Sequence, residues 1–392
     1  MTEKLYYADS HLMRFSARVL RLESLPGGSF AAVLDRTAFF PEGGGQRADT
    51  GYLGTMRVTD VQEKDGEIVH FLSPERDSLP PESGAEVFGE VDREVRFRRM
   101  QNHSGEHIVS GLVHALTGYD NVGFHMGRES VVIDFSGPLT REQCLEVEER
   151  ANAAVRENLA VRTFFPTAEE LAVLPYRSKK ELSGEVRIVE IPGIDRCACC
   201  APHVKQTGEI GCIKLLSCEK HKDGVRMEMV CGRDALDLFR QYQKSVTGIS
   251  NLLSAKREAV LEAAEHLLEE RDALKFRQVA LERQLIAFLA DRAAEEKGTI
   301  LLFPETEMSE ASRRELVNLL TEKHEGIAGV FAGNDESGYQ YILGSRNVDL
   351  RLRAKEINTA IQGRGGGRPE MIMGSCRASR AEIEKFFRGE DG

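Results

Sequence analysis

From residue 14 to residue 91, apolar and polar side chains alternate over short runs, among them FSARVLRLE, SFAAVLD and MRVTDVQEKDGEIVHFL. Alternation with a period of two predicts half-buried strands, and Asp65-Gly66 stands where a tight hairpin turn would reverse the chain. Residues 1–90 therefore read as a small antiparallel sheet or β-barrel. FFPEGGGQRADTG interrupts it, because three successive glycines are too flexible for a regular strand. The period then changes. RRMQNHSGEHIVSGLVHALTG (98–118) reads as an amphipathic helix ended by Gly118, and ESVVIDF as a strand. TREQCLEVEERANAAVREN reads as a helix with Thr140 as cap and Gln143 completing a capping box. VRIVEI leads into a Cys-rich turn and IGCIKLLSCEKHKDGVRMEMVCG into a hairpin, so residues 91–232 form an α+β domain with the cysteines between strands.

Phe239, Val246, Leu253, Val260, Leu267, Leu274, Leu281 and Phe288 are each seven apart, no Pro intervenes, and Gly298 closes the run. A strict seven-residue repeat predicts a coiled-coil seam over 233–298, with a homodimer through 239–288. The second seam position carries Lys256, Glu270 and Arg277, so a helical hairpin, irregular packing, or a long helix lying on its own domain compete with it. The tail, 299–392, alternates TILLF, a helix from Glu310 to His324, GIAGVFAG, YQYILGS and a helix from Asp349 to Gln362. A glycine loop, GRGGGRPEMIMGS, and a last helix follow, making a small α/β domain.

Composition narrows the class. A chain of 392 residues exceeds one ordinary core, and 41% hydrophobic with 29% charged residues describes a soluble globular protein. MTEKLYYADSHLMRF has no apolar run, which predicts neither a secretory signal nor a membrane span. Eight cysteines without an export signal read as reduced cytoplasmic thiols, free to bind metal. The formal charge of −11 excludes a generally sticky nucleic-acid binder, yet between Arg346 and Arg388 ten Lys and Arg face five Asp and Glu, a local +5.

RCACCAPHVKQTGEIG (196–211) packs Cys197, Cys199, Cys200 and His203 into a short turn. Tetrahedral zinc needs four donors, and this stretch supplies two that can point at one centre. The missing pair is sought in NHSGEH, where His103 and His107 are one helical turn apart on one face. His103, His107, Cys199 and His203 make a three-imidazole, one-thiol set. HSGEH also matches the inverted zinc-peptidase pattern H-x-x-E-H, with Glu106 as general base. That motif wants a downstream carboxylate ligand and no thiolate, so Glu106 reads instead as a solvent-facing helix residue.

HSGEH followed by CCAPHV resembles the H-x3-H and C-x3-H pair of the editing domain of alanyl-tRNA synthetase and of the free-standing AlaX proteins. TAFFPEGGGQRADTG, GFHMGRESVVIDF and GRGGGRPEM are similar to further segments of that family, in the family's order, and the last resembles the glycine-arginine loop of a DHHA1 domain. The long AlaX type, with editing domain, helical linker and DHHA1 domain, is the nearest pattern. Cys200 replaces the first glycine of the usual C-G-G-T/P-H and Cys197 is an extra thiol, leaving open which thiol binds, although register favours Cys199. Ile372 and Met373 stand where the family tends to have Ala-Gln.

The resemblance implies four domains: a barrel (1–90), a zinc-binding editing domain (91–232), a long helical linker (233–298) and a DHHA1-like domain (299–392). It implies hydrolysis of Ser-tRNA(Ala) or Gly-tRNA(Ala), with one zinc ion and with His103, His107 and Gln46 in the catalytic site. Accuracy needs such a second site, since an alanine pocket rejects glycine or serine only weakly. Thr37, Gly43, Gly44, Gly45 and Gln46 would touch the substrate, Thr37 sensing the serine hydroxyl. Arg364, Gly365, Gly366, Gly367 and Arg368 would hold the tRNA, the glycine amides cradling a phosphate. An aminoacylation core, a DHH phosphoesterase signature and a P-loop are all missing from these 392 residues, so no ATP chemistry is expected. A zinc peptidase and a non-catalytic tRNA-binding module with structural zinc are the readings from other classes.

Overall fold

The computed structural model describes all residues except 76–78, 128, 179–184, 294–297 and 390–392. Arg128 of GFHMGRESVVIDF and the four residues before Gly298 thus lie outside the described residues. The chain divides into two units, Met1–Thr247 and Gly248–Gly392.

In the first unit six strands close into a barrel in the order Arg14–Ser24, Phe30–Leu34, Glu67–Ser73, Met56–Lys64, Gly51–Leu53, Glu86–Val91, with antiparallel pairing throughout. Along Glu67–Ser73 the alternation sends Ile68, His70 and Leu72 inward and leaves their neighbours half-exposed. Asp65 and Gly66 turn that hairpin with φ of 52° and 80°, left-handed at both positions as a two-residue type I′ turn requires.

The barrel feeds the helix Arg93–Thr117, which Gly118 ends with φ 75°. This helix corrects the amphipathic expectation, since every residue from Met100 to Val113 is buried. Two glycines permit this enclosure. A Cβ on Gly105 would sit 2.3 Å from Cys231 Sγ, and one on Gly111 would sit 2.5 Å from the Ile194 carbonyl oxygen. Around the helix lie an antiparallel sheet (Ile213–His221, Gly224–Cys231, Val131–Phe135, Asn121–Met126), a three-stranded sheet (Arg162–Phe164, Ile188–Ile191, Asp195–Ala198) and the helix Arg141–Glu157. Thr140 and Gln143 form both bonds of the capping box.

In the second unit a five-stranded sheet runs Ile300–Leu302, Ala328–Asn334, Gly338–Gly344, Met371–Cys376, Gly363–Arg368. The first pair is parallel and the rest antiparallel. Helices Glu310–Lys323, Leu350–Ala360 and Arg380–Arg388 accompany it, and Phe331, Leu343, Leu350, Ile357, Ile361 and Phe387 build its main core. No helix among the described residues is long and apolar enough to cross a membrane.

Two expectations change here. The seven-residue repeat does not lie on one helix: Gly232–Leu252 and Val260–Ala293 are separated at Ser254, whose φ is 51°. The break hides in ordinary residues, with the Ser250 hydroxyl donating to the Ala255 carbonyl at 2.6 Å. On Val260–Ala293 the repeat positions Leu267, Leu274, Leu281 and Phe288 are each more than half exposed. The glycine run is likewise no loop. Gly363–Arg368 is an edge strand paired with Met371–Cys376. Glycine allows that close approach, because a Cβ on Gly365 or Gly367 would fall 2.3 Å from a carbonyl oxygen of the neighbouring strand.

Candidate metal centre

Two elements bring the four proposed donors together. His103 and His107 project from the buried helix, and Cys199 and His203 come from the turn after the strand Asp195–Ala198. Their donor atoms all lie within 4.8 Å of one another. Cys199 Sγ is 3.6 Å from His103 Nε2 and 3.4 Å from His203 Nε2. Arg187 shapes the turn by donating from Nη1 to the carbonyls of Cys199 and Ala201, both at 2.9 Å. Cys200 is exposed and outside the group, while Cys197 is buried. Cys197 does group with His107 and Asp195, but that imidazole already spends its Nδ1 on the carboxylate.

Each imidazole has a partner at Nδ1. His103 Nδ1–H donates to Gln46 Oε1 at 2.9 Å, and His107 Nδ1–H to Asp195 Oδ2 at 2.9 Å. His203 Nδ1 meets Ser104 Oγ at 3.0 Å, an oxygen that also accepts the Val204 amide. Such partners fix tautomer and ring orientation, leaving each Nε2 as the lone-pair donor. Arg177 Nε donates to Asp195 Oδ1 at 2.8 Å, so the carboxylate is itself held. Asp195, Ser104, Arg177 and Arg187 escape a sequence reading. An acid two residues before the first cysteine of the cluster was the one available signal.

The electrostatics suit a cation. Burial alone would raise the Cys199 thiol, but the surrounding imidazoles hold it well below the usual thiol range. Burial pushes His203 down to about 3, keeping it neutral. Burial opposes charge on His107 too, yet its bond to Asp195 raises it well above an ordinary histidine. Three imidazole nitrogens and a low-lying thiol, with donor atoms within 4.8 Å of one another, could hold a metal ion, and these are donor types that zinc takes.

Gln46 lies beside a turn that only glycine fits. Gly43 and Gln46 exchange backbone hydrogen bonds of 3.0 Å, while Gly44 and Gly45 adopt φ of 60° and 82°. A Cβ on Gly45 would meet the Phe124 ring at 2.4 Å, and that ring packs on His103 with centroids 4.8 Å apart. Gln46 is 1% exposed, and its Nε2 finds no partner among the described residues. Thr37 departs from expectation. It is fully buried, and its hydroxyl is committed to His70 Nε2 at 2.8 Å and to the Phe39 amide at 3.1 Å, which leaves it no exposed route to a substrate hydroxyl.

Glu106 is a clearer correction. It is 1% exposed rather than solvent-facing, and its Oε1 accepts from Ser110 Oγ at 2.6 Å and Asn121 Nδ2 at 2.5 Å. The enclosing helix leaves no solvent face at this position. Glu106→Gln preserves an acceptor for both donors, so turnover by the site is expected to change less than tenfold. Loss of a general base would lower it by about 10² or more. Single-turnover rates of the two proteins decide the matter.

The family model described as "Threonyl and Alanyl tRNA synthetase second additional domain" matches residues 186–226, which carry Cys199 and His203. A second, "tRNA synthetases class II (A)", matches residues 2–95. The chain is 28% identical over 399 residues to the alanyl-tRNA editing protein AlaX-L of Pyrococcus horikoshii, covering 98% of this chain and 96% of that one. It is 26% identical over 368 residues to the alanyl-tRNA editing protein Aarsd1-A of Xenopus laevis, with 92% and 88% covered. Against the alanine–tRNA ligase of Methanopyrus kandleri it is 31% identical over 399 residues, 96% of this chain but only 43% of the ligase. These likenesses run from barrel to tail, so over nearly its whole length the chain is similar to alanyl-tRNA editing proteins.

Proposed function

We propose that this protein hydrolyses the ester of tRNA(Ala) mischarged with Ser or Gly, at one zinc ion held by His103, His107, Cys199 and His203. The observation that carries the reading is the convergence of those donors with every imidazole oriented from its far nitrogen. When bound, the ion supplies Lewis-acid polarisation or activation of water. The protein's own groups do the rest. Gln46 fixes His103 through Oε1 and keeps Nε2 as a donor for the substrate. The Gly44–Gly45 turn, with Cys200 Sγ 3.4 Å from where a Gly44 Cβ would stand, lets backbone approach the ligand.

The peptidase alternative loses support on two counts. The fourth donor is a thiol, and the nearby carboxylate of Asp195 serves His107 Nδ1 rather than the donor cluster. The test is incubation of metal-replete protein with Ser-, Gly- and Ala-charged tRNA(Ala). Loss of ester from Ser- or Gly-tRNA, with Ala-tRNA spared, is the expected result. No loss from either mischarged substrate sinks the proposal and leaves a structural-zinc binding module.

The four-domain division is retained in this reading, with 299–392 as the DHHA1-like part in a cytoplasmic protein. Its local +5 and the exposed edge strand, with Arg364 and Arg368, would hold the tRNA body. Since that strand already pairs along one side, only outward-facing amides among Gly365–Gly367 remain for phosphate. A second copy would cover Leu267, Leu274, Leu281 and Phe288. Sedimentation should therefore give a dimer that Leu274→Glu with Leu281→Glu dissociates, and a wild-type monomer at micromolar concentration refutes the pairing.

A further inference from the structure

The second unit contains a cavity of about 1140 Å³ at one end of its sheet, where Gly333, Tyr339, Cys376 and Gly363 come into register. Three guanidiniums line it: Arg313 from the helix Glu310–Lys323, Arg364 from the edge strand, and Arg377 just after the adjoining strand. None forms an ion pair with a carboxylate among the described residues. Arg313 is the informative one. It is 6% exposed, and its Nη2 donates to Gln340 Oε1 at 3.0 Å. Its Nη1 lies 3.5 Å from the Gln340 carbonyl, and Nε has no partner. A buried guanidinium answered only by neutral amide oxygens is costly unless an anion completes it.

Three carboxylates share the lining, and they determine what kind of anion fits. Glu282 is satisfied by Ser309, Ser312 and Gln278, so it accepts hydroxyl and amide donors rather than a guanidinium. Glu305 and Glu307 are exposed on the loop before the helix. The three guanidiniums are thus joined in the lining by Glu305 and Glu307, which can accept hydrogen bonds from a ligand's neutral donors. The cavity suits a ligand with one strongly anionic group and several hydroxyl or amino donors. The volume is ample for a ligand of nucleotide size.

We propose that this cavity binds the 5′-phosphate of a ribonucleotide, the phosphomonoester against Arg313, Arg364 and Arg377 and the sugar or base donors against Glu305 and Glu307. A free mononucleotide and the 5′ end of a tRNA both carry this chemistry. The site lies in a different unit from the metal centre, and its binding needs no ester hydrolysis, so its failure would leave the editing proposal untouched.

Calorimetric titration of the full chain with 5′-AMP, and separately with inorganic phosphate, tests it. Saturable AMP binding is expected, with inorganic phosphate weaker and competitive. Arg377→Gln, at an exposed position where folding is not at risk, should weaken AMP about tenfold, the size of one charge-assisted hydrogen bond. Arg313→Gln should do at least as much while its melting curve confirms folding. Displacement of AMP by tRNA bearing a 5′-phosphate, but not by dephosphorylated tRNA, assigns the natural source to the tRNA. AMP binding indifferent to both tRNAs assigns it to a free nucleotide. No saturable binding of AMP or phosphate at millimolar concentration, or equal binding by wild type and both variants, overturns the proposal.

Discussion

Cys199→Ser is expected to lower zinc affinity by more than about 100-fold, beyond the 10- to 100-fold cost of losing a partner one shell out. Deacylation of mischarged tRNA should fall with it. The same change at Cys200 should leave metal content near wild type, because that thiol is exposed and outside the donor group. Cys197 is the sharper control. It is buried beside His107 and Asp195, and burial raises its thiol, the opposite of what a ligand thiolate needs. Cys197→Ser should therefore perturb packing slightly and metal content little. Competition with a chromophoric chelator measures all three variants. Equal loss at the three thiols would mean that the donor register is wrong, whereas loss at Cys199 alone ties the metal to the turn held by Arg187.

What the sequence revealed of the site follows from how local each signal is. His103 and His107 are legible because a helix puts positions four apart on one face, and Cys199 and His203 because C-x3-H closes a turn. The orientation of their rings was out of reach, although Gln46 itself was expected at the site. Gln46, Ser104 and Asp195 come from a barrel loop, the ligand helix and a strand, and only the folded chain brings them to three Nδ1 atoms. Glu106 misled for a related reason. Polar residues on a helix usually mark its wet face, but here Glu106, Ser110 and Asn121 satisfy one another inside. The period-two strands of the barrel were readable, since one face of each is core. By contrast, the glycine run at 363–368 looked like a loop because glycine permits both a loop and the close strand contact it makes. The helix break at Ser254 carries no Pro or Gly to announce it.

The loop that carries Gln46 is anchored by a pair that neither hydrophobic pattern nor metal motif announces, and breaking it should cost the most stability of any single change considered. Arg96, on the first turn of the ligand helix, and Asp49 are both 0% exposed. Arg96 Nε donates to Asp49 Oδ2 at 2.8 Å, Nη2 reaches the same oxygen and the Ala38 carbonyl, and the Phe40 amide donates to Asp49 at 2.7 Å. The segment from Ala38 to Asp49 is thereby stapled to the helix bearing His103. Arg96→Met removes the cation and leaves a buried carboxylate with the Phe40 amide and Arg99, 3.7 Å away, as its remaining help. Removing one member of a buried pair typically costs about 3–5 kcal/mol. Calorimetry of the full chain should show that loss in one transition, since the pair lies wholly within the Met1–Thr247 unit. Replacing both residues, as Arg96→Met with Asp49→Leu, removes the stranded charge and should restore much of the loss. Because Gln46 sits in the stapled segment, Arg96→Met should also weaken metal binding, and the double variant should recover stability more fully than it recovers the metal. A single-variant cost under about 1 kcal/mol, the range of an exposed ion pair, would show that the pair does not anchor the loop.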